Sequence, residues 1–348
     1  MKPGDGRPGS VHRKATLTDV ARRAGVSYQT VSRVINDHPN VASATRARVQ
    51  RAVEALDYQP NRAARNLATR RSNTIGIVSF GAKYYGPTQM VVNIEASLKG
   101  RGFALTLTTV ENTGAVEMRR AIGELTSQNL DGIVMITPTA DLDVDAVVRL
   151  CRGTPFVMLD LNPSQHVHSL AIDQGHGATL ATKHLLDLGH ARVCHISGPL
   201  QWHDARLRRD AWLATLLGAG TEPGPSVESD WTAAGGYAST GELLRRGVPF
   251  SALFVANDQM ALGAIRALRD AGRRVPEDVS IVGFDDVPEA AFYDPPLTTV
   301  KQDFEALGQQ SIDFLTTLIA APHTPPHQRV LYPRFVVRSS TAAPPDDA

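Results

Sequence analysis

The sequence has few cysteines, little net charge and no long apolar run. Its 348 residues include two cysteines, without a CxxC pair or the Cys/His spacing of a zinc site, which excludes a disulfide scaffold and the common structural-metal motifs. No run reaches the length of a membrane-spanning helix, and the N-terminal stretch lacks the apolar segment of a secretory signal. We therefore expect a chain that works in a reducing cytoplasm, with Cys151 and Cys194 as buried thiols in apolar β-like runs.

The net charge is +1, but it is unevenly distributed along the chain. Residues 1–71 carry 14 Lys and Arg against 5 Asp and Glu, whereas the remaining residues carry 22 against 30. A basic head on an acidic body is typical of a DNA-binding domain fused to another module. The 42% apolar content fits a globular chain of two or three domains.

Residues 15–36 have the pattern of two short helices joined by a tight turn. Thr16 can cap the first helix, and Asp19 three residues later completes a capping box. Gly25 permits the turn because it has no Cβ to clash at positive φ. Ser27 can cap the second helix, and the apolar positions of both helices fall on one face.

The opposite face of the second helix carries Tyr28, Gln29 and Arg33. A helix fits the major groove of duplex DNA, where Gln29 can donate and accept at adenine and Arg33 offers a fork suited to guanine. Tyr28 lies at the helix start, where helix-turn-helix proteins contact bases. The alternative is an ordinary solvated face on a helical hairpin. The basic charge of this part of the chain favours the DNA-binding interpretation.

A turn and a third helix follow, with Ser43 predicted as the cap and apolar residues that close a three-helix core. Arg46, Arg48 and Arg51 remain near the surface, where they could meet phosphates. Residues 60–71 then read as a linker with four arginines and a single large apolar residue, Leu67. Architectural proteins insert such an apolar wedge between base steps in the minor groove. A flexible linker with an incidental leucine is the alternative.

From residue 73 onward, short β-like runs alternate with helical patterns in two successive series. This repetition predicts parallel sheets with helices on both faces, and two series predict two α/β subdomains. Ligands of such folds bind outside the carboxyl ends of the strands. That rule places these strand-end residues at a shared cleft: Ser79, Phe80, Asp160, Asn257, Asp258, Phe284, Asp285 and Asp286.

Five stretches carry a likeness to a known family: VSYQTVSRV, PNRAARNLA, ARLRRDAW, VANDQMALGA and PPLTTVKQDF. From about residue 15 to residue 340, the chain resembles the LacI/GalR family of bacterial transcription repressors. The resemblance implies an all-α helix-turn-helix head at 15–60, a hinge helix at 61–71 that forms on DNA, and an α/β core like periplasmic sugar-binding proteins at 72–340. We expect core subdomains at 73–172 plus 302–332 and at 173–301 plus 333–340, with disordered tails at 1–14 and 341–348.

The resemblance also implies roles for individual residues. Recognition of bases falls on Tyr28, Gln29 and Arg33. Supporting and hinge contacts to DNA fall on Thr16, Leu17, Ser27, Thr30, Ser32, Asn36, Asn61 and the wedge residue Leu67. Sugar-contacting positions fall on Asp160, Arg208, Trp231, Asn257, Asp285 and Gln302, with Phe304 as an apolar neighbour. This chemistry suits a sugar, because polar groups at fixed angles match hydroxyls and an indole face matches the C–H face of a ring.

Several cleft positions depart from the family by carrying larger or chemically different residues: Phe80, Tyr84, Met90, Ile136, Ile172 and Asp204. We include Phe80, Tyr84 and Asp204 among the candidate ligand-binding residues. Asp204 adds a carboxylate, and Ile136 removes an amide. The final residues, TAAPPDDA, contain no heptad, so we expect a homodimer and no larger coiled-coil assembly.

Seven of the eleven histidines lie between His166 and His203. Their spacing is irregular, which favours surface or capping histidines over a metal site. We expect no metal, no cofactor and no catalytic group.

Together these observations predict a repressor that binds a near-palindromic operator in double-stranded DNA and is released by a small sugar, such as a galactoside. One alternative is a repressor of the same family with another sugar, a purine or a protein co-regulator as its signal. A sugar-binding protein without regulation is disfavoured by the basic head. An α/β enzyme is disfavoured because the sequence has no P-loop, no GxGxxG after a strand and no nucleophile elbow.

Overall fold

The computed structural model of the chain describes residues 15–35, 38–58, 72–111, 115–137, 143–160 and 166–345. These residues belong to two compact units, Met1–Ser72 and Asn73–Ala348. Several predicted features lie outside the described residues, namely the tail at 1–14, the whole hinge segment at 61–71 with Asn61 and Leu67, the end of the C-terminal tail, and Asn36.

The described part of the first unit contains three helices, α1 Leu17–Ala24, α2 Tyr28–Ile35 and α3 Ser43–Ala55. The predicted capping box of α1 is confirmed, because Thr16 Oγ1 accepts a hydrogen bond from the Asp19 amide and the Asp19 carboxylate accepts one from the Thr16 amide. Gly25 ends α1 at φ 61°, in the left-handed region that favours glycine. Apolar residues of all three helices form the small core.

The prediction that Ser43 caps α3 is wrong. Ser43 is the first helical residue, and the cap position is Ala42, which makes no side-chain hydrogen bond. The start of α3 is held instead by Arg46, whose Nη2 donates a 2.8 Å hydrogen bond to the carbonyl oxygen of His38. This arginine therefore stabilises the loop before α3.

The second unit consists of strands and helices that alternate along most of its length. Its strands are β1 Thr74–Phe80, β2 Ala104–Val110, β3 Gly132–Ile136, β4 Phe156–Leu159, β5 Ser169–Ile172, β6 Val193–Ser197, β7 Ser226–Glu228, β8 Ala252–Val255, β9 Ser280–Val282, β10 Thr299–Lys301, β11 Gln328–Leu331 and β12 Arg334–Val336. Its helices are α4 Tyr85–Gly100, α5 Ala115–Thr126, α6 Val144–Cys151, α7 Gln174–Asp187, α8 His203–Gly218, α9 Ala233–Arg245, α10 Asp258–Asp270 and α11 Phe304–Ala320. No helix in the described ranges is long and apolar enough to cross a membrane.

The strands form two parallel sheets, as predicted for an α/β core. The first has the order β11-β5-β4-β3-β1-β2, and the second has the order β7-β6-β8-β9. Strands β10 and β12 form a separate antiparallel pair. In each parallel sheet the winding direction reverses between two central strands, β1 and β3 in the first and β6 and β8 in the second. A crevice forms at the carboxyl ends of such strands, so each sheet offers one side of a ligand site.

Both cysteines are buried, as predicted, but one of them lies in a different element from the one expected. Cys194 is in strand β6, whereas Cys151 is the last residue of helix α6. A cap at Asp143 favours a helix over the predicted strand, because Asp143 Oδ1 accepts a 2.9 Å hydrogen bond from the Ala146 amide at the start of α6. Burial raises the pKa of both thiols to about 12, which keeps them unreactive.

Two of the seven histidines between His166 and His203, namely His190 and His195, differ from the prediction of surface and capping positions because they are buried. His195 is fully buried in β6 between the rings of Trp212 and Phe254, with centroid distances of 5.2 and 4.8 Å. Burial lowers the pKa of His195 to about 3, so it is a neutral core residue. His190 is also buried, with Nδ1 2.9 Å from the Ser251 hydroxyl. Within the described ranges, no cluster of His, Cys, Asp and Glu could hold a metal ion.

Candidate functional site

The head presents a polar face on helix α2. Val31 and Val34 are buried against the other helices, while Tyr28, Gln29 and Arg33 are exposed on the opposite side. Tyr28 has 54% of its surface exposed, which is high for an aromatic residue with no structural task. An exposed helix face with an amide, a guanidinium and a phenol has the size and the donors and acceptors to contact base edges in the major groove.

The other predicted DNA contacts of the head have structural tasks as well. The Ser27 hydroxyl accepts a 3.1 Å hydrogen bond from the Thr30 amide and lies 2.9 Å from the Thr30 hydroxyl, so these residues cap α2. Thr16 caps α1, and Leu17 packs partly against the core of the head. Ser32 is half-buried on α2.

The second unit contains a cavity of about 480 Å³ at the carboxyl ends of both parallel sheets. This volume is within the range of small-molecule sites, roughly 300–1,000 Å³. Nine of the ten predicted ligand-binding residues line it: Tyr84, Asp160, Asp204, Arg208, Trp231, Asn257, Asp285, Gln302 and Phe304. The loops that follow β1, β4, β7, β8, β9 and β10 supply most of them, and the first two turns of α8 supply Asp204 and Arg208.

Phe80 does not line the cavity, so its expected place beside the ligand is wrong. It is the last residue of β1 and is 8% exposed, with its ring centroid 5.2 Å from that of Trp202. The indole of Trp202 covers Phe80 and takes its place in the cavity wall. Ile136 and Ile172 likewise belong to the apolar core beneath the first sheet, whereas Met90 lines the cavity.

Arg208 is the centre of the polar floor. It is 4% exposed, and its Nε donates a 2.9 Å hydrogen bond to Gln174 Oε1. Its Nη1 lies 3.8 Å from Asp285 Oδ1, and its guanidinium carbon lies 3.8 Å from the centroid of the Phe284 ring. A buried cation therefore has a carboxylate, an amide oxygen and an aromatic face as partners, which fixes its position.

Asp285 follows β9 with φ 115°, a backbone conformation that is strained for a side chain other than glycine. Its Oδ1 accepts a 2.7 Å hydrogen bond from Gln302 Nε2, and Gln302 Oε1 accepts one of 2.9 Å from Gln174 Nε2. Burial raises the pKa of Asp285 to about 6, although Arg208 and Gln302 favour the ionised form. The floor of the cavity is therefore a connected network in which Asp285 is the acceptor.

Asn257 closes another side of the cavity and caps helix α10. Its Oδ1 accepts a 2.9 Å hydrogen bond from the Met260 amide, and its Nδ2 donates to the Trp231 carbonyl at 3.0 Å. The next residue, Asp258, is fully buried and accepts hydrogen bonds from the Thr299 hydroxyl and from a backbone amide. Asp258 was predicted at the cleft, but the structure places it below the surface of the cavity as a structural carboxylate.

Aromatic rings form the opposite wall. Trp231 has φ 72° and is 7% exposed, and the absence of a Cβ at Gly198 makes room for its indole. Trp202 packs edge-on against Trp231 at a centroid distance of 5.8 Å and against Tyr84 at 5.2 Å. Such flat apolar faces beside a polar floor match a sugar ring, which has C–H faces and a rim of hydroxyls.

Sequence reasoning missed several residues of the site. Trp202, Tyr85, Lys83, Asp230 and Gln259 line the cavity but were not predicted. Trp202 follows β6, so the strand-end rule could have found it if it had been applied to that strand. Gln174 lies beneath the floor and has no signal in the sequence, because its role depends on two residues, Arg208 and Gln302, that lie far from it along the chain.

Residues 16–61 match the family described as bacterial regulatory proteins, lacI family, and residues 182–341 match the periplasmic binding protein-like domain. The lactose operon repressor of Escherichia coli is 38% identical over 329 residues, covering 94% of this chain and 91% of the repressor.

Two solved structures extend this likeness. A crystal structure of the lac repressor dimer bound to operator and the anti-inducer ONPF has a TM-score of 0.89 at 37% identity, covering 95% of this chain and 100% of that chain. The complex of the transcriptional regulator CelR with cellobiose has a TM-score of 0.70 at 34% identity, covering 94% and 99%.

Proposed function

Because the chain belongs to the lacI family of bacterial regulatory proteins, we propose that it is a sugar-responsive repressor of a sugar-utilisation operon. The observation that carries the proposal is the presence, in one chain, of an exposed recognition-type face on α2 and an aromatic-walled polar cavity. The proteins to which it is similar are transcriptional regulators, so the enzyme and transport alternatives are set aside.

On the DNA side, two copies of the chain would bind one near-palindromic operator, each head reading a half-site with Tyr28, Gln29 and Arg33. Thr16, Leu17, Ser27, Thr30 and Ser32 would position α2 in the groove. Contacts by Asn36, Asn61 and the wedge residue Leu67 remain part of the proposal, although these residues lie outside the described ranges. The protein would act in the cytoplasm, on the bacterial chromosome.

On the effector side, the ligand would be a mono- or disaccharide held between the aromatic wall and the network of Arg208, Asp285 and Gln302. The similar proteins include a lac repressor and a regulator solved with cellobiose, so galactosides and glucosides are the first candidates. Asn257 and Asp160 would complete the ring of hydrogen-bonding groups, and Phe304 would contact the sugar's apolar edge.

The cavity is built from the strand ends of two different sheets, which suggests how a sugar could act at a distance. Tyr84 and Asp160 follow strands of the first sheet, while Arg208 and Asn257 belong to the second. A ligand that contacts both sides stabilises one arrangement of the sheets over another. If that arrangement holds the heads in a poor position for DNA, the sugar shifts the population away from the operator-binding state.

A fluorescence-anisotropy titration tests the proposal. A labelled lac-type palindrome is titrated with the chain at fixed salt, because phosphate contacts make the affinity salt-dependent. Lactose, galactose, cellobiose, glucose and ribose are added in turn. We expect binding at least about 10³-fold tighter than to random DNA, and release by one sugar class. The variant Arg208→Ala is measured in the same way. It should bind the palindrome as the wild type does, but the sugar should no longer release it from the DNA. Equal binding to random DNA, or release that survives in Arg208→Ala, would contradict the proposal.

A further inference from the structure

Two carboxyl groups that line the cavity, those of Asp160 and Asp204, have buried oxygens without ordinary hydrogen-bond partners among the described residues. Asp160 follows β4 and is 3% exposed. The Ile172 backbone lowers the pKa of Asp160 as a weak hydrogen-bond donor, but among the described residues neither carboxylate oxygen has a partner at ordinary hydrogen-bond distance and angle. Asp204 is in the first turn of α8, and its Oδ1 is buried and also lacks such a partner. Both residues line the cavity.

The two carboxyl groups interact electrostatically. Burial is the main cause that raises the pKa of Asp160, and the charge of Asp204 raises it further. Burial also raises the pKa of Asp204. Both carboxyl groups are unfavourable as unpaired anions in these surroundings, and a bound cation would favour their ionised form.

The cations that line the cavity do not satisfy this need. Arg208 lowers the pKa of both groups, but its guanidinium is already committed to Gln174, Asp285 and the Phe284 ring. Lys83 also lines the cavity, but it is exposed and its Nζ lies 5.1 Å from the centroid of the Tyr84 ring. Acidic side chains outnumber basic ones in the lining, with Asp160, Asp204, Asp230 and Asp285 against Lys83 and Arg208.

We propose that the effector is an amino sugar, a saccharide whose primary ammonium group lies between Asp160 and Asp204. An ammonium group has three donors and a full charge, so it can bond both carboxylates at once, whereas a hydroxyl donates one proton to one of them. The rings of Tyr84 and Trp202 add aromatic faces that favour a cation nearby. This inference rests on the proposed function, since it names the class of sugar that the same cavity takes.

Matched sugars test the inference. Two sets of sugars are used with the full chain at pH 7, each with one amine and two neutral partners. The first set is galactosamine with galactose and N-acetylgalactosamine. The second set is the β-1,4-linked glucosamine dimer with cellobiose and the diacetylated dimer. Binding is followed by calorimetry and by the fluorescence of Trp202 and Trp231, which line the cavity. In at least one set we expect the amine to bind about tenfold tighter, or more, than both neutral partners.

Variants then locate the preference. Asp204→Asn and Asp160→Asn should each bring the amine and its neutral partners to within about threefold of each other. Asp210→Asn is the control, because Asp210 is exposed on the same helix and pairs with Arg209. It should keep the wild-type preference. Thermal melting checks that each variant is folded, and the wild-type comparison stands without any variant.

The outcomes separate this inference from the proposed function. If neutral sugars bind and release the operator while amines have no advantage, the amino-sugar inference is wrong and the repressor proposal stands. If an amine advantage persists in both Asp160→Asn and Asp204→Asn, the carboxylate pair is not its cause and the inference is again overturned. If no sugar of either set binds, the amino-sugar inference is wrong, whereas release of the operator by lactose, glucose or ribose would still support the repressor proposal.

Discussion

Gln174 Oε1 accepts a 2.9 Å hydrogen bond from Arg208 Nε, which joins the first turn of α7 to the second turn of α8 beneath the cavity. The amide nitrogen of Gln174 continues the chain to Gln302, and Gln302 continues it to Asp285. Gln174 does not line the cavity itself. It is a positioning residue that orients two of the groups we assign to the sugar.

Replacing Gln174 should therefore weaken sugar binding without removing a sugar contact. In Gln174→Leu, Arg208 Nε loses its acceptor and Gln302 loses its donor. We expect the sugar Kd to rise about 5- to 30-fold, the equivalent of about 1–2 kcal/mol for a disturbed buried network, with operator affinity unchanged. Calorimetry with the releasing sugar measures this. Lys183→Ala, at an exposed position of the same helix, is the control. A Kd equal to that of the wild type would show that Gln174 does not position Arg208.

Gln29→Ala should relax base preference at one position of each half-site. The amide of Gln29 is exposed on α2, where it can bond an adenine edge, and such a contact discriminates by about 1–3 kcal/mol. Binding to a set of operators with single-base changes measures the preference. Gln50→Ala, at an exposed position on α3, should leave the pattern unchanged. A uniform loss of affinity over all operators would mean that Gln29 contacts the DNA backbone.

Sugar binding should weaken in mild acid. Burial raises the pKa of Asp285 to about 6, so the ionised acceptor is present at pH 7 and is lost as the pH falls below 6. If a neutral sugar donates a hydroxyl to this carboxylate, its Kd should rise by about tenfold between pH 7 and pH 5. Tryptophan fluorescence without DNA measures this. In Asp285→Asn the affinity for the sugar should be low at both pH 7 and pH 5, and it should change less between these pH values than the affinity of the wild type does. A wild-type Kd that is constant from pH 7 to pH 5 would contradict the role of Asp285.

Asp204→Asn should make the sugar-free chain more stable at neutral pH. Burial raises the pKa of Asp204 in the folded state, so its ionised form is unfavourable there. Well below pH 4 the group is neutral in both states and the cost is absent, whereas well above the raised pKa the cost is fully present. A gain of about 1 kcal/mol would raise the Tm by about 2–4 °C at pH 7.5, and this gain should shrink as the pH falls toward 4.

Calorimetric melts at the two pH values measure this effect, with Asp210→Asn as an exposed control that should not change the Tm. A lower Tm for Asp204→Asn at pH 7.5 would show that the carboxylate already has a stabilising partner.

Local signals in the sequence predicted a large part of the structure. The Thr16 and Asp19 capping box and the glycine turn at Gly25 are fixed by residues within a few positions of one another, and the structure confirms them. The α/β repetition predicted two parallel sheets, and the rule that ligands bind at strand ends placed Asp160, Asn257 and Asp285 around one cavity.

Some of the errors involve contacts between residues that are distant in sequence. Phe80 is at a strand end, but Trp202 from another sheet covers it. His195 is polar in sequence, yet Trp212 and Phe254 enclose it in the core. Cys151 lies in an apolar run that fits a strand or a helix, and the cap at Asp143 decides in favour of the helix. For Phe80 and His195 the pattern is ambiguous until tertiary packing is known, whereas the helix at Cys151 begins at a local cap.

The central claim is that the cavity and the DNA-binding head are energetically coupled, and the coupling must be reciprocal. The most direct measurement is the Kd of the releasing sugar for the full chain, determined by calorimetry with and without saturating operator. The account predicts that operator raises the sugar Kd by the same factor by which sugar raises the operator Kd. A sugar Kd that is identical with and without operator, while both ligands bind, would contradict it.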